Sequence, residues 1–238
     1  MTYKNRRKNN KKSKKNPIKI ISITLFLLLW IFSVYINNSQ NNIFKPKLLV
    51  ENIITQADKD WDWINDIDDI LAWARTEVKN KTIYKDGYFS GGYPPVGQWV
   101  CTDVIWRAFK EAWYDLKYLV DSDIKNNIWD YSRVNWSAEP NIDFRRVPNL
   151  QVYFEKYAKV LTQDVIPGNI NNLSEWQPWD IVTFWAPKNH IAIISDKRNT
   201  NWVPFIIHNS APTAREDDWL VYWNENVSSI TGHYRLKY

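Results

Sequence analysis

His190-Ile-Ala-Ile-Ile-Ser195 and Pro204-Phe-Ile-Ile-His208 are two short runs rich in β-branched residues with a polar loop between them, and they decide the reading of the fold. Each is too short for a stable helix and suits a pleated surface. Asp180-Ile-Val-Thr-Phe-Trp185 before them and Ile230-Thr-Gly-His-Tyr-Arg-Leu236 after them repeat the pattern. Upstream the period changes. Trp61, Ile64, Ile67, Leu71, Ala74 and Val78 recur at three- and four-residue steps and predict a helix over 61–78 with an acidic outer face. Val104, Ala108, Phe109, Ala112 and Leu116 predict a second helix with Cys101 at its N-terminus. Shorter helices are expected from Asp121 and near Pro148, the latter with Leu150, Phe154 and Tyr157 turned inward. Helices first and strands afterwards predict an α+β domain, its N-terminal helices packed on a small antiparallel sheet.

The chain's basic character is confined to one end. Nine of its 31 lysines and arginines lie between Lys4 and Lys19 with no acidic residue among them. Without those nine, 22 basic residues face 26 acidic ones, a net charge of −4. That balance argues against nucleic acid as a partner. Residues 18–36 are apolar apart from Lys19 and three hydroxyls, and at 1.5 Å per residue they approach the ~30 Å of a bilayer core. The run ends without a small-x-small cleavage site, so we read an uncleaved anchor, a cleaved signal being the alternative. The positive-inside rule then leaves residues 1–17 in the cytoplasm and places the rest outside, with 37–60 as a polar tether and 61–238 as the domain.

An exported chain with one cysteine is unusual, because Cys101 has no partner for an intramolecular disulfide. At a helix N-terminus its sulfur meets the positive end of the helix dipole, which favours thiolate. Four of the six glycines, Gly87, Gly91, Gly92 and Gly97, precede it together with Pro94 and Pro95, a segment suited to close approach of a ligand. The three histidines are His190, His208 and His233. A hairpin centred on Asn199 would pair residues whose numbers add to 398 and set His208 directly opposite His190 on one face. A slip of one residue would replace it by Asn209. The reading is Cys101 as nucleophile, His190 as base and acid, and His208, or Asn209, as the group that orients it. Lone cysteines and strand histidines are commonly core residues, and this bland reading stands beside the catalytic one. There is no HExxH motif and no cysteine pair, and the histidines lie 18 and 25 residues apart, so no metal or cofactor is expected.

Val100-Cys-Thr-Asp-Val104, Pro140-Asn-Ile-Asp-Phe-Arg-Arg-Val-Pro-Asn-Leu150, Trp176-Gln-Pro-Trp-Asp-Ile-Val182, His190-Ile-Ala-Ile-Ile-Ser-Asp196, Ile207-His-Asn209 and Ile230-Thr-Gly-His-Tyr-Arg235 resemble, in order, domain-of-unknown-function family 1287 (DUF1287). That family in turn is similar to the papain-like, NlpC-type cysteine peptidases and amidases. The resemblance implies that fold, Cys101 and His190 as the catalytic pair and His208 as the third polar residue. Its implied activity is an extracytoplasmic amidase or peptidase acting on cell-wall peptides or peptidoglycan fragments. An acyltransferase and a catalytically inactive wall-binding module on the same fold are the alternatives. Trp99 and Trp179 are candidates to line a substrate cleft, and Arg145 and Arg146 to grip a substrate carboxylate, at least one of the two being structural. Asp103 is expected to cap the cysteine helix. Trp61, Trp106 and Trp129 fall on helical patterns and are expected in the core.

Overall fold

Asn65 sets where the first helix begins. In the computed structural model, which describes residues 50–185 and 187–236, its side chain accepts the N–H of Asp68 and starts α1 at Asp66–Lys79. The helix therefore begins five residues later than its periodicity predicts. Trp61 and Trp63, both with positive φ, stand 85% and 95% exposed in the loop before it. Then follow β1 (Ile83–Tyr84), β2 (Gln98–Trp99), α2 (Cys101–Glu111), α3 (Leu116–Asn126) and α4 (Val147–Tyr157). Asp115 caps α3 through the N–H of Tyr118, so that helix starts ahead of the expected Asp121. β3 (Ala158–Val160), α5 (Ile170–Leu173), β4 (Ile181–Trp185), β5 (His190–Arg198), β6 (Pro204–Ser210), β7 (Thr213–Asp217), α6 (Leu220–Asn226) and β8 (Ser229–Leu236) complete the described chain.

The α+β expectation holds, but the sheet is larger than predicted. Eight strands run in the order β2-β1-β7-β6-β5-β4-β8-β3, antiparallel except for the β1/β2 pair. The four strands that the sequence did not reveal are either two or three residues long or, like Thr-Ala-Arg-Glu-Asp in β7, too polar to show alternation. Strand parity divides the interior in two. Ile181, Ile191, Ile193 and Ile207 face the helical layer, where Ile70, Leu71, Val104, Ile105, Phe109, Leu150 and Phe154 meet them. Val182, Phe184, Ala192, Ile194 and Ile206 face the opposite layer of Leu173, Trp176, Leu220 and Trp223. Successive side chains of a strand alternate sides, so one sheet supplies both cores.

The basic tail, the apolar run 18–36 and residues 37–49 lie outside the described residues. Among the described residues no helix is long and apolar enough to cross a membrane. The compact unit begins at Val50, not at residue 61. Val50 is buried, Ile53 donates its N–H to Gln177 Oε1 at 2.8 Å, and Gln177 Nε2 returns a bond to the Glu51 carbonyl at 3.0 Å. The end of the expected tether is thus fastened to the domain.

Of the three tryptophans assigned to the core by helical pattern, Trp106 is buried, whereas Trp61, in the loop before α1, and Trp129, in the short 3₁₀ turn Ile128–Asp130, are exposed. Tyr157 is half exposed at the end of α4.

Candidate active site

Cys101 is the first residue of α2, after Val100 in extended conformation. Thr102 and Asp103 fix this helix start to one residue, Arg145. Thr102 Oγ1 donates to the Arg145 carbonyl at 2.9 Å, and the Arg145 guanidinium donates to both Asp103 oxygens at 2.6 and 2.8 Å. Asp103 also accepts the Val100 N–H at 2.8 Å, the capping role expected of it, and the Trp106 indole N–H at 2.8 Å. Arg145 donates once more to the Gly87 carbonyl at 2.8 Å, and Gly91 N–H reaches Asn141 Oδ1 at 2.8 Å. The glycine segment is thereby tied to 141–145. At Gly92, φ is +84° and an added Cβ would come within 2.6 Å of the Phe144 ring, so no larger residue fits.

The sulfur lies on the helical side of the sheet, where the backbone N–H groups of Ile191, Thr102 and Cys101 point at it. Burial nevertheless outweighs them. It pushes the thiol up to about 12, and Asp103 adds to the rise. The dipole argument at the helix start predicted the reverse; desolvation of a sulfur only 7% exposed decides the sign.

His190 and His208 share the even-numbered face of β5 and β6. The pairing Ile193↔Ile207 and Ile194↔Ile206 adds to 400, not 398, a slip of two residues that preserves the face. In that register the two histidines are diagonal neighbours rather than directly opposite. The difference arises at an irregularity between Ile194 and Arg198, with Asn199 closing the turn through bonds to the N–H groups of Asn201 and Val203. Diagonal imidazoles still reach each other: His190 Nε2 is 2.7 Å from His208 Nδ1. His208 Nε2 is in turn 3.4 Å from Asp217, whose carboxylate also faces Arg215 Nε at 3.1 Å. An ionised carboxylate only accepts. His208 then carries its proton on Nε2, accepts at Nδ1 from His190 Nε2–H, and leaves His190 Nδ1 with a free lone pair. Burial, then the charges of His208, Arg215 and Lys188, hold His190 well below the ordinary 6.5. Burial also lowers His208, against the pull of Asp217.

Trp223 on α6 stacks on His190 with ring centres 4.2 Å apart and planes at 11°, and meets His208 edge-on. Neither it nor Asp217 carries a signal in the sequence, because α6 and β7 are short and do not show the expected periodicity. Asn209 points to the other face, where Nδ2 donates to the Trp99 carbonyl at 3.0 Å. It does not take the orienting position.

Cys101 and His190 open onto adjoining depressions. One, of 200 Å³, is lined by Cys101, Arg133, Arg145, Arg146 and Asp86; the other, of 350 Å³, by His190, Trp223, Lys188 and Ser210. Tyr84 and Asn189 line both. The phenol of Tyr84 is raised by burial and by its neighbours Cys101, Asp86 and Asp103. A larger depression of 440 Å³ around Tyr93, Lys117 and Tyr118 includes neither Cys101 nor a histidine.

Trp99 and Trp179 do not line this cleft. Both are 1% exposed: Trp99 lies beneath the Arg107 guanidinium and Trp179 stacks on Phe109 in the helical core. Of the two arginines, the Arg145 guanidinium is committed to Asp103, while Arg146 borders the Cys101 depression. His233 stands apart from the other two histidines. It stacks on Trp176 and bonds Asp180 at 2.9 Å, where Arg235 also binds at 2.7 Å. The motifs around residues 176–182 and 230–235 therefore meet as a structural cluster.

The family described as "Domain of unknown function (DUF1287)" matches residues 71–236, well over half of the chain. The chain belongs to the DUF1287 family. It is also 33% identical over 172 residues to "Uncharacterized protein YijF" of Escherichia coli (strain K12), an alignment covering 68% of this chain and 78% of that relative. No solved structure matches.

Proposed function

We propose that this DUF1287 domain is a cysteine hydrolase of the papain-like, NlpC-type kind, held outside the cytoplasm by the apolar segment 18–36 and cleaving amide bonds in cell-wall peptides. The observation that carries the reading is the coupled pair His190–His208, bonded at 2.7 Å, opening beside the cleft of the chain's one cysteine. Cys101 attacks the carbonyl carbon, forming the S–C bond as its proton passes to His190 Nδ1. His190 then protonates the leaving amine, and water releases the acyl group. The N–H groups around the sulfur are candidates to bind the developing oxyanion. With the thiol raised and His190 lowered, the resting pair is neutral, and proton transfer accompanies attack.

The same raised thiol favours a second reading, an inactive domain that holds wall peptide without cutting it. Incubating purified wall fragments with the full chain and with Cys101→Ala, and reading products by mass, separates the two. New amines released by the wild type alone support the hydrolase; no release, with retained binding in both, overturns it. Appearance of a product joined to a second amine identifies an acyltransferase instead.

A further inference from the structure

Ahead of α1 the chain reads Asp58-Lys-Asp60-Trp-Asp62-Trp63, and one carboxylate oxygen from each of the three aspartates lies within 4.8 Å of the others. Acidic residues at alternate positions are common on surfaces. A fourth carboxylate, of a different kind, lies outside this close group. Asp69, in the first turns of α1, is only 8% exposed, and its Oδ2 is buried with no hydrogen-bond partner. The charges of Asp62, Asp60, Asp66 and Asp58 all act on it. A buried, unpartnered carboxylate among other negative charges is costly unless a cation joins them.

The spacing identifies the kind of cation. Asp58, Asp60, Asp62 and Asp69 stand at positions 1, 3, 5 and 12 of a loop with the numbering of an EF-hand. Trp63 occupies position 6, where such loops need a positive φ, and has φ 75°. Asp58 accepts the N–H groups of Asp62 and Trp63 at 3.1 and 3.0 Å, which turns the loop inward. Asp66 is otherwise engaged, accepting from Lys59 N–H at 2.9 Å and from the Tyr114 hydroxyl at 2.6 Å. We propose that the loop Asp58–Asp69 is a calcium site, with Asp58, Asp60, Asp62 and Asp69 as its carboxylate ligands. The expectation of no metal rested on histidine and cysteine spacing, which says nothing about a hard cation held by oxygen. Calcium is favoured over magnesium because magnesium keeps its waters and seldom occupies a cage made wholly of protein oxygens. The site is independent of the catalytic proposal, although α1 packs on the helix that begins with Cys101.

Terbium luminescence on the purified full chain tests it, with Trp61 and Trp63 in the loop as antennae. Expected is sensitised emission displaced by calcium with a midpoint of about 10⁻⁴ to 10⁻³ M, and not by magnesium at the same concentration. Saturating calcium raises the melting temperature by a few degrees. Asp60→Asn combined with Asp62→Asn weakens displacement at least ~10-fold by removing two of the charges that set affinity, and Asp69→Asn does the same. Melting in EDTA at or above the wild-type temperature shows that the variants fold. Absent emission, equal displacement by magnesium, or a calcium response that survives in the double variant overturns the proposal.

Discussion

His190 Nε2 lies 2.7 Å from His208 Nδ1, and His208 Nε2 points on to Asp217 at 3.4 Å. Three residues from β5, β6 and β7 form a chain of acceptors and donors that ends on a free nitrogen of His190. A carboxylate two strands away from His190 thereby sets which of its nitrogens is basic.

His208→Ala breaks this chain and leaves His190 without an orienting partner. We expect kcat on a wall-peptide substrate to fall by about 10²–10⁴-fold with a small change in KM. Asp217→Asn, which can donate where the carboxylate only accepted, is expected to lower kcat less, by about tenfold or more. Steady-state kinetics check both; unchanged kcat in His208→Ala sinks the orienting role.

Cys101 is buried with its thiol raised to about 12. Iodoacetamide should therefore alkylate the folded protein more slowly at pH 8 than it does the unfolded protein, whose thiol is near the ~8.5 of a free cysteine. His190→Ala should slow it further by removing the proton acceptor. An alkylation rate of the folded protein that His190→Ala leaves unchanged would remove the basis for catalysis.

His190 and His208 are both held below 6.5 by burial, so the unfolded chain takes up protons first as the pH falls. Stability on this account is full above pH ~6.5 and declines below it, through the folded values of the two groups. Melting temperature followed from pH 7.5 to 4.5 should show the decline. His190→Gln and His208→Gln should each flatten it, and an identical slope in both variants would assign the loss to other groups.

The Asp103–Arg145 pair is almost fully enclosed, with side-chain exposures of 0% and 2%. Arg145→Met leaves the carboxylate buried and unpaired and should cost about 3–5 kcal/mol in denaturant unfolding. Adding Asp103→Asn should recover part of that. If Arg145→Met costs under about 1 kcal/mol, the pair does not hold the cysteine helix in place.

Much of the arrangement was legible locally. The period-two pattern of β5 and β6 gave both histidines the same parity, and parity survives a slip of two residues. The shared face of the two histidines is therefore legible in the sequence although the register differs by two residues. The position of Cys101 at a helix start was legible for the same reason, since the change of period falls beside it. The exposure of Trp61 and the burial of Trp99 and Trp179 were not legible, because an indole suits a core, a cleft or a turn equally well.

The sequence by itself determined the class of fold, the face shared by His190 and His208, and the helix start at Cys101, because backbone period and parity are properties of neighbouring residues. Tertiary structure alone decided the rest. It set the helix and the histidines on opposite sides of the sheet, meeting at the first residues of β5, brought Asp217 and Trp223 to the dyad, and buried one oxygen of Asp69 without a hydrogen-bond partner. It also reversed the expected lowering of the Cys101 thiol, because desolvation sums over every group packed around the sulfur, most of them distant in the chain.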